Sequence, residues 1–235
     1  MRRLWFPLLL GVVGVAVLIG LGLWQLDRME QKHALLSRIE ARIGVEPVDL
    51  PASPDPVTDQ YLPVRATGSL GGEELDVLTS MQGAGPGYRV ISALTTGNRR
   101  VLVDLGFVPE AAKDAPRMVE GVTVIGNLMW PQEADSWTPA PDASRGIWFA
   151  RDVDAMAEAL GTEPVMIVAR DLGGAEIGTT LIPVDTAGVP NDHYGYALTW
   201  FGLAFVWSVM SLLLVLRTRR GAQATPERAP TRSTD

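Results

Sequence analysis

The chain has 235 residues, no cysteine and two histidines, and its 27 acidic and 20 basic side chains leave a net charge of −7. The missing cysteines exclude disulfides, thiol redox chemistry and thiolate-based metal transfer, and two histidines exclude a multi-histidine metal site within one chain. The acidity argues against nucleic acid as a partner.

Arg2 and Arg3 precede a run of 23 residues, Leu4 to Leu26, that carries no charge. A second uncharged run of 23 residues, Tyr194 to Leu216, is followed by Arg217, Arg219 and Arg220. At about 1.5 Å per helical residue, each run crosses a hydrocarbon core of about 30 Å. The two tails hold 7 of the 20 basic residues and 2 of the 27 acidic ones. The positive-inside rule therefore predicts two transmembrane helices (4–26 and 194–216), cytoplasmic tails (1–3 and 217–235) and an extracytoplasmic segment, 27–193, between them. A cleaved signal peptide is the competing reading of the N-terminus, but the run is too long for a signal core and no A-x-A site follows it. The lack of an Arg- and Ser-rich presequence favours a bacterial plasma membrane.

The first helix is expected to continue past the membrane, with Leu26, Met29, His33 and Leu36 at helical spacing, and to stop near Arg42 to Gly44. Pro47 to Pro56 reads as an extended linker. Tyr61–Leu70 and Glu74–Met81 read as two strands separated by Gly71-Gly72, and Gly83 to Gly87 as a flexible turn. Tyr88–Thr95 and Arg99–Phe107 form a hairpin about Thr96-Gly97-Asn98. Gly121–Trp130 is a further strand, Pro131–Ser144 a polar surface loop and Ile147–Phe149 a short strand. Asp152–Leu160 is a helix capped by Asp152 and stopped by Gly161, and Val165–Ala169 is a buried strand. The tail after Gly221 reads as disordered. The fold class is α+β: one domain with a mainly antiparallel sheet or partial barrel and one or two helices, flanked by the two spans.

No nucleophile elbow, phosphate loop, HExxH or dinucleotide fingerprint is present, so the chain reads as a non-enzyme. Acidic pairs such as Glu73-Glu74 and Asp152/Asp154 read as solvated faces. His33 reads as a solvated helix-face residue. His193 is placed differently, immediately before the second span. On a helix, Ala197 and Trp200 follow on its face, and the first span offers Trp24 and Gln25 at about the same depth. Imidazole is a good axial ligand for haem iron, and a small residue one turn below leaves room for a flat macrocycle. The same residues also fit an ordinary interfacial belt, in which Tyr and Trp gather and His is tolerated.

Taken together, several segments resemble the Surfeit-locus family of cytochrome c oxidase assembly factors. They are Leu21-Gly22-Leu23-Trp24-Gln25-Leu26-Asp27-Arg28 with Lys32; Tyr61, Val64 and Gly68; Gly85-Pro86-Gly87-Tyr88; Val101 to Pro109; Gly121; and Asn191-Asp192-His193-Tyr194-Gly195-Tyr196-Ala197-Leu198-Thr199-Trp200-Phe201. The resemblance implies a membrane chaperone that helps haem a reach the catalytic subunit of a haem-copper oxidase, with the haem a synthesis machinery as a further partner. It maps the family's second-span histidine onto His193, as haem-iron ligand, and the family's first-span tryptophan onto Trp24. On that reading Trp24, Trp200 and Phe201 pack the cofactor, Ala197 leaves it space, and Gln25 or Arg28 meets a propionate. The alternative is a scaffold that steadies the oxidase subunit and holds no haem. One motif departs from the family. The strand before Pro109 usually reads closer to Asn-Arg-Gly-Trp, and here it is Asp104-Leu105-Gly106-Phe107, without the basic and indole groups. The resemblance therefore leaves open whether this strand meets a partner or a propionate, while Gly106 and Pro109 keep its turns.

Overall fold

A computed structural model describes residues 5–142, 144–186 and 191–223, the last three without their side chains. Arg2, Arg3, Arg228 and Arg232 lie outside the described residues, as do all but the first two residues of the tail expected to be disordered after Gly221. Contacts divide the chain into two compact units, residues 1–36 with 189–235, and residues 37–188.

The first unit is built from two long helices, α1 (Trp5–Ile43, whose last turns belong to the second unit) and α3 (His193–Gln223). Both are long and apolar enough to cross a membrane. Leu8, Val12 and Leu23 on α1, and Leu203, Phe205 and Leu212 on α3, are exposed. Helices apolar on their outward faces suit lipid rather than water. The less exposed positions of α3 include Ala197, Phe201, Ala204, Ser208 and Ser211, alternating by four and three residues. That is the spacing of a helix–helix seam. Glycines form the opposing stripe on α1. A Cβ on Gly22 would lie 2.5 Å from the Phe201 ring, and one on Gly11 would lie 2.9 Å from Ser211 Cβ. Small residues thus admit the large side chains of the facing helix. α3 continues through Arg217 to Gln223, beyond the end of the apolar run.

In the second unit α1 ends at Ile43, as its sequence predicts. Its last carbonyl accepts from Arg170 Nη1 at 3.2 Å and from Asn127 Nδ2 at 3.4 Å, which satisfies an end group that the helix itself leaves open. Seven strands follow: β1 (Val48–Asp49), β2 (Pro63–Met81), β3 (Gly85–Thr96), β4 (Arg99–Pro109), β5 (Val119–Leu128), β6 (Ile147–Trp148) and β7 (Glu163–Asp171), with helix α2 (Val153–Leu160) before β7. β2 pairs with β3, β3 with β4, β4 with β7, β7 with β5, and β5 returns to β2. Five strands therefore close into a barrel. All of these pairings are antiparallel except β4–β7, and β1 and β6 add to β2 in parallel.

Two details correct the sequence reading. Tyr61–Leu70 and Glu74–Met81 are not separate strands. β2 runs through Gly71 and Gly72, whose φ angles of 144° and 103° make a bulge between Leu70 and Glu74. The bulge bends the strand, so its first half pairs with β5 and its second with β3. Gly85 to Gly87 are likewise not turn residues but the start of β3, opposite Pro109 at Gly87.

Val64, Val90, Leu94, Val101, Val103 and Ile167 belong to one buried cluster and alternate along their strands, which fills the barrel. A second cluster forms where α2 covers the outside, bringing Met156 and Leu160 against Ile91, Leu102 and Met166. β4 is thus buried on both faces, which explains its near-continuous apolar run. Asp152 Oδ1 accepts from Ala155 N–H at 3.1 Å, and Gly161 ends α2 in a left-handed conformation.

Candidate functional site

The α1–α3 unit contains a cleft of about 620 Å³ walled by Trp24, Gln25, Arg28, Gln31, Lys32, Leu35, His193 and Tyr196. Its size falls in the range of about 300–1,000 Å³ usual for small-molecule sites. α1 supplies six of these residues, spaced so that Trp24, Arg28, Gln31 and Leu35 follow one another down one face. The first turn of α3 supplies His193 and Tyr196 at i and i+3. His193 is half-buried, and its Nδ1 lies 2.8 Å from Gln25 Oε1. The Arg28 guanidinium stands over the Trp24 ring at 5.7 Å from the centroid. Arg28 Nη1 also donates to Gln31 Oε1 at 3.5 Å, and Gln31 donates to Asp27 at 2.8 Å. The cleft therefore offers one imidazole, one exposed indole face and cationic groups from Arg28 and Lys32. That donor set suits a flat, apolar ring system carrying a metal and carboxylates.

Of the residues singled out in sequence, His193, Trp24, Gln25 and Arg28 come together in this cleft. Ala197, Trp200 and Phe201 do not line it. Ala197 is 2% exposed, in the seam between the helices, and Phe201 lies against Gly22. His33 is exposed on α1. Gln31, Lys32, Leu35 and Tyr196 carry no site role in the sequence reading, although helical spacing from Arg28 and His193 reaches each of them. Among the described residues no group of three or more His, Cys, Asp or Glu side chains is placed to hold a metal ion.

The barrel unit carries its own polar centre. Asp104 is fully buried, with Oδ2 at 2.5 Å from Arg89 Nε and 3.0 Å from Arg151 Nη1. Its Oδ1 accepts from Gly106 N–H at 3.0 Å. Arg151 also binds Glu133 through several contacts, including Nε to Oε1 at 3.1 Å, and Arg89 Nη2 donates to Ile182 O at 3.0 Å. Burial pushes the Glu133 carboxyl up, but hydrogen bonds and charge from Arg151, with the more distant Arg89, outweigh this and hold it below its ordinary value. Glu74, read as solvated, instead pairs with Arg117 at 2.7 Å. Burial pushes Glu74 above its ordinary value, and the Arg117 contact offsets this only in part. Lys113 pairs with buried Asp76 at 2.9 Å. These pairs neutralise one another within the barrel and its cover, and they read as structural.

Similarity to known proteins agrees with the motif pattern. The profile of the SURF1 family matches residues 12–205, from the first helix through the barrel into the second. Surfeit locus protein 1 of Rattus norvegicus is 28% identical, over 83% of this chain and 71% of that protein. A SURF1-like protein of Monosiga brevicollis is 30% identical, over 91% and 88%. A SURF1-like protein of Rickettsia felis is 27% identical, over 82% and 89%. With most of the first helix, the barrel and both halves of the cleft inside the matched span, the chain belongs to the SURF1 family.

Proposed function

We propose that this protein is a two-span assembly factor for haem-copper cytochrome c oxidase that holds haem a as cargo on its way to the catalytic subunit. The observation that carries the reading is the cleft, in which His193, Trp24 and Arg28 line one wall system drawn from both helices. His193 would hold the haem iron through a ring nitrogen. Trp24 offers an exposed ring face for stacking, and Arg28 offers a guanidinium to a propionate. Phe201 acts at one remove, holding α3 against Gly22. Ala197, buried in the same seam, acts through the helix pair as well. The haem supplies the chemistry only after delivery. The chain itself binds, orients and releases, and makes no covalent bond.

On this reading the protein sits in a bacterial plasma membrane with both termini in the cytoplasm. The barrel unit is extracytoplasmic and meets the immature oxidase subunit, and haem a arrives from its synthesis enzymes. The basic residues Arg217, Arg219 and Arg220 at the end of α3 support that orientation.

The test is to co-express the chain with haem a synthesis enzymes, purify it in mild detergent and record its absorption spectrum beside His193→Ala. A stoichiometric haem a signal that the variant loses supports the carrier. No haem on the wild type, with oxidase assembly still dependent on the protein, sinks the carrier and leaves a haem-free scaffold.

A further inference from the structure

We infer that Gln25 is a positioning residue that fixes His193 as the Nδ1–H tautomer and leaves Nε2 as its one lone pair for a metal. The inference deepens the haem-carrier reading and rests on it for the identity of the metal.

Neutral imidazole has one N–H and one lone pair, and its hydrogen-bond partners decide which nitrogen carries which. Here Nδ1 of His193 lies 2.8 Å from the amide oxygen of Gln25. An amide oxygen only accepts, so the proton belongs on Nδ1. Free imidazole side chains in water favour the opposite tautomer, with the proton on Nε2. A ring left to solvent would therefore present its lone pair on the nitrogen nearer its own backbone. Gln25 reverses this. Because Gln25 and His193 stand on different helices, the bond also restrains rotation of the ring within the cleft they both line.

The pairing redistributes the roles that the sequence leaves open. Gln25 or Arg28 was expected to meet a propionate. With its oxygen on His193, Gln25 serves the imidazole, and the propionate role passes to Arg28. Partners of this kind, which orient a metal-binding histidine through its other nitrogen, typically change metal affinity by about 10–100-fold when removed.

The experiment uses the full-length protein in detergent, labelled with ¹⁵N-histidine and free of haem. Two-bond ¹H–¹⁵N correlation reads the tautomer of His193 directly, and exposed His33 is the internal reference. The wild type is expected to show a protonated Nδ1 and an unprotonated Nε2. Gln25→Glu keeps an acceptor and should keep that pattern, whereas Gln25→Leu should shift His193 toward the pattern of His33. In haem a titrations Gln25→Leu should weaken binding about 10–100-fold, with Gln25→Glu near the wild type. A protonated Nε2 in the wild type, meaning that the Gln25 amide faces His193 with its nitrogen, overturns the inference. So does a Gln25→Leu protein with an unchanged tautomer. A wild type with protonated Nδ1 that takes up no haem a supports the tautomer assignment and overturns the haem reading instead.

Discussion

Asp104 Oδ2 lies 2.5 Å from Arg89 Nε, on the outward face of β4, where the aspartate nevertheless has no exposed surface. A carboxylate at that depth is tolerated because Arg151 closes on it from another direction and Gly106 donates to its second oxygen. Removing the charge strands two guanidinium groups. Asp104→Ala is expected to destabilise the protein by about 3–5 kcal/mol. Asp104→Asn keeps an acceptor for Gly106 and should cost less, about 1.5–3 kcal/mol. Urea unfolding of the full chain in detergent measures both. Equal losses for the two variants would show that the charge, and not the Gly106 bond, is what matters.

The same network sets an acid limit. Glu133 has a folded-state pKa below its unfolded value, despite the upward push of burial, because Arg151 favours its ionised form. Its contribution to stability is therefore complete above the unfolded carboxylate value and is lost as pH falls through the lowered folded value. Glu133→Gln should lower stability at neutral pH and flatten the decline of the unfolding midpoint below about pH 4.5. Parallel acid profiles for wild type and variant would mean that this pair carries no linkage.

Gly106 has a φ of 83°, and a Cβ there would lie 2.2 Å from Thr180 O. Phe107 N–H donates to that same oxygen at 2.8 Å, so the returning segment is held close against β4. Gly106→Ala combines a strained backbone with a clash and should cost at least about 1–3 kcal/mol. Thermal unfolding reads the loss, and a variant as stable as the wild type would show that residues 180–182 yield without cost.

The helix seam is open to a direct chemical test because the chain has no cysteine of its own. Gly11→Cys with Ser211→Cys should form an intramolecular disulfide under mild oxidation, since a Cβ added at Gly11 would lie 2.9 Å from Ser211 Cβ and the pair needs to spread only to the usual 3.5–4.5 Å or so. Gly20→Cys with Ser211→Cys should not, because nothing faces Gly20. Adding Gly22→Leu to the reactive pair should cut the yield severalfold by driving the Phe201 ring outward. Yield is read as a mobility shift on non-reducing gels.

Local chemistry made much of this structure legible. Two uncharged runs announce α1 and α3, Thr96-Gly97-Asn98 marks the β3–β4 hairpin, and Asp152 with Gly161 brackets α2. What stayed hidden depends on residues far apart in sequence. Gly71-Gly72 looks like a strand break, and only the separate partners β5 and β3 turn it into a bend. Asp104 reads as the polar half of an alternating strand, because neither Arg89 nor Arg151 signals that it will close over it. At the cleft, His193 stands out by its position before an apolar run. Its bond to Gln25 spans 168 residues, and no spacing rule reaches that far.

Barrel closure has a consequence for biosynthesis. β4 finds its second neighbour only in β7, and β5 also needs β7. While the ribosome is still making residues 110–162, β4 presents an unsatisfied edge, and β5 joins it as soon as it emerges. At about 5–20 residues per second, this exposure lasts seconds, long enough for two nascent chains to pair with each other. A message truncated anywhere before the codon for Glu163 would leave those edges bare for good. Its product belongs to the quality-control proteases, whatever the integrity of the helices and the hairpin already made.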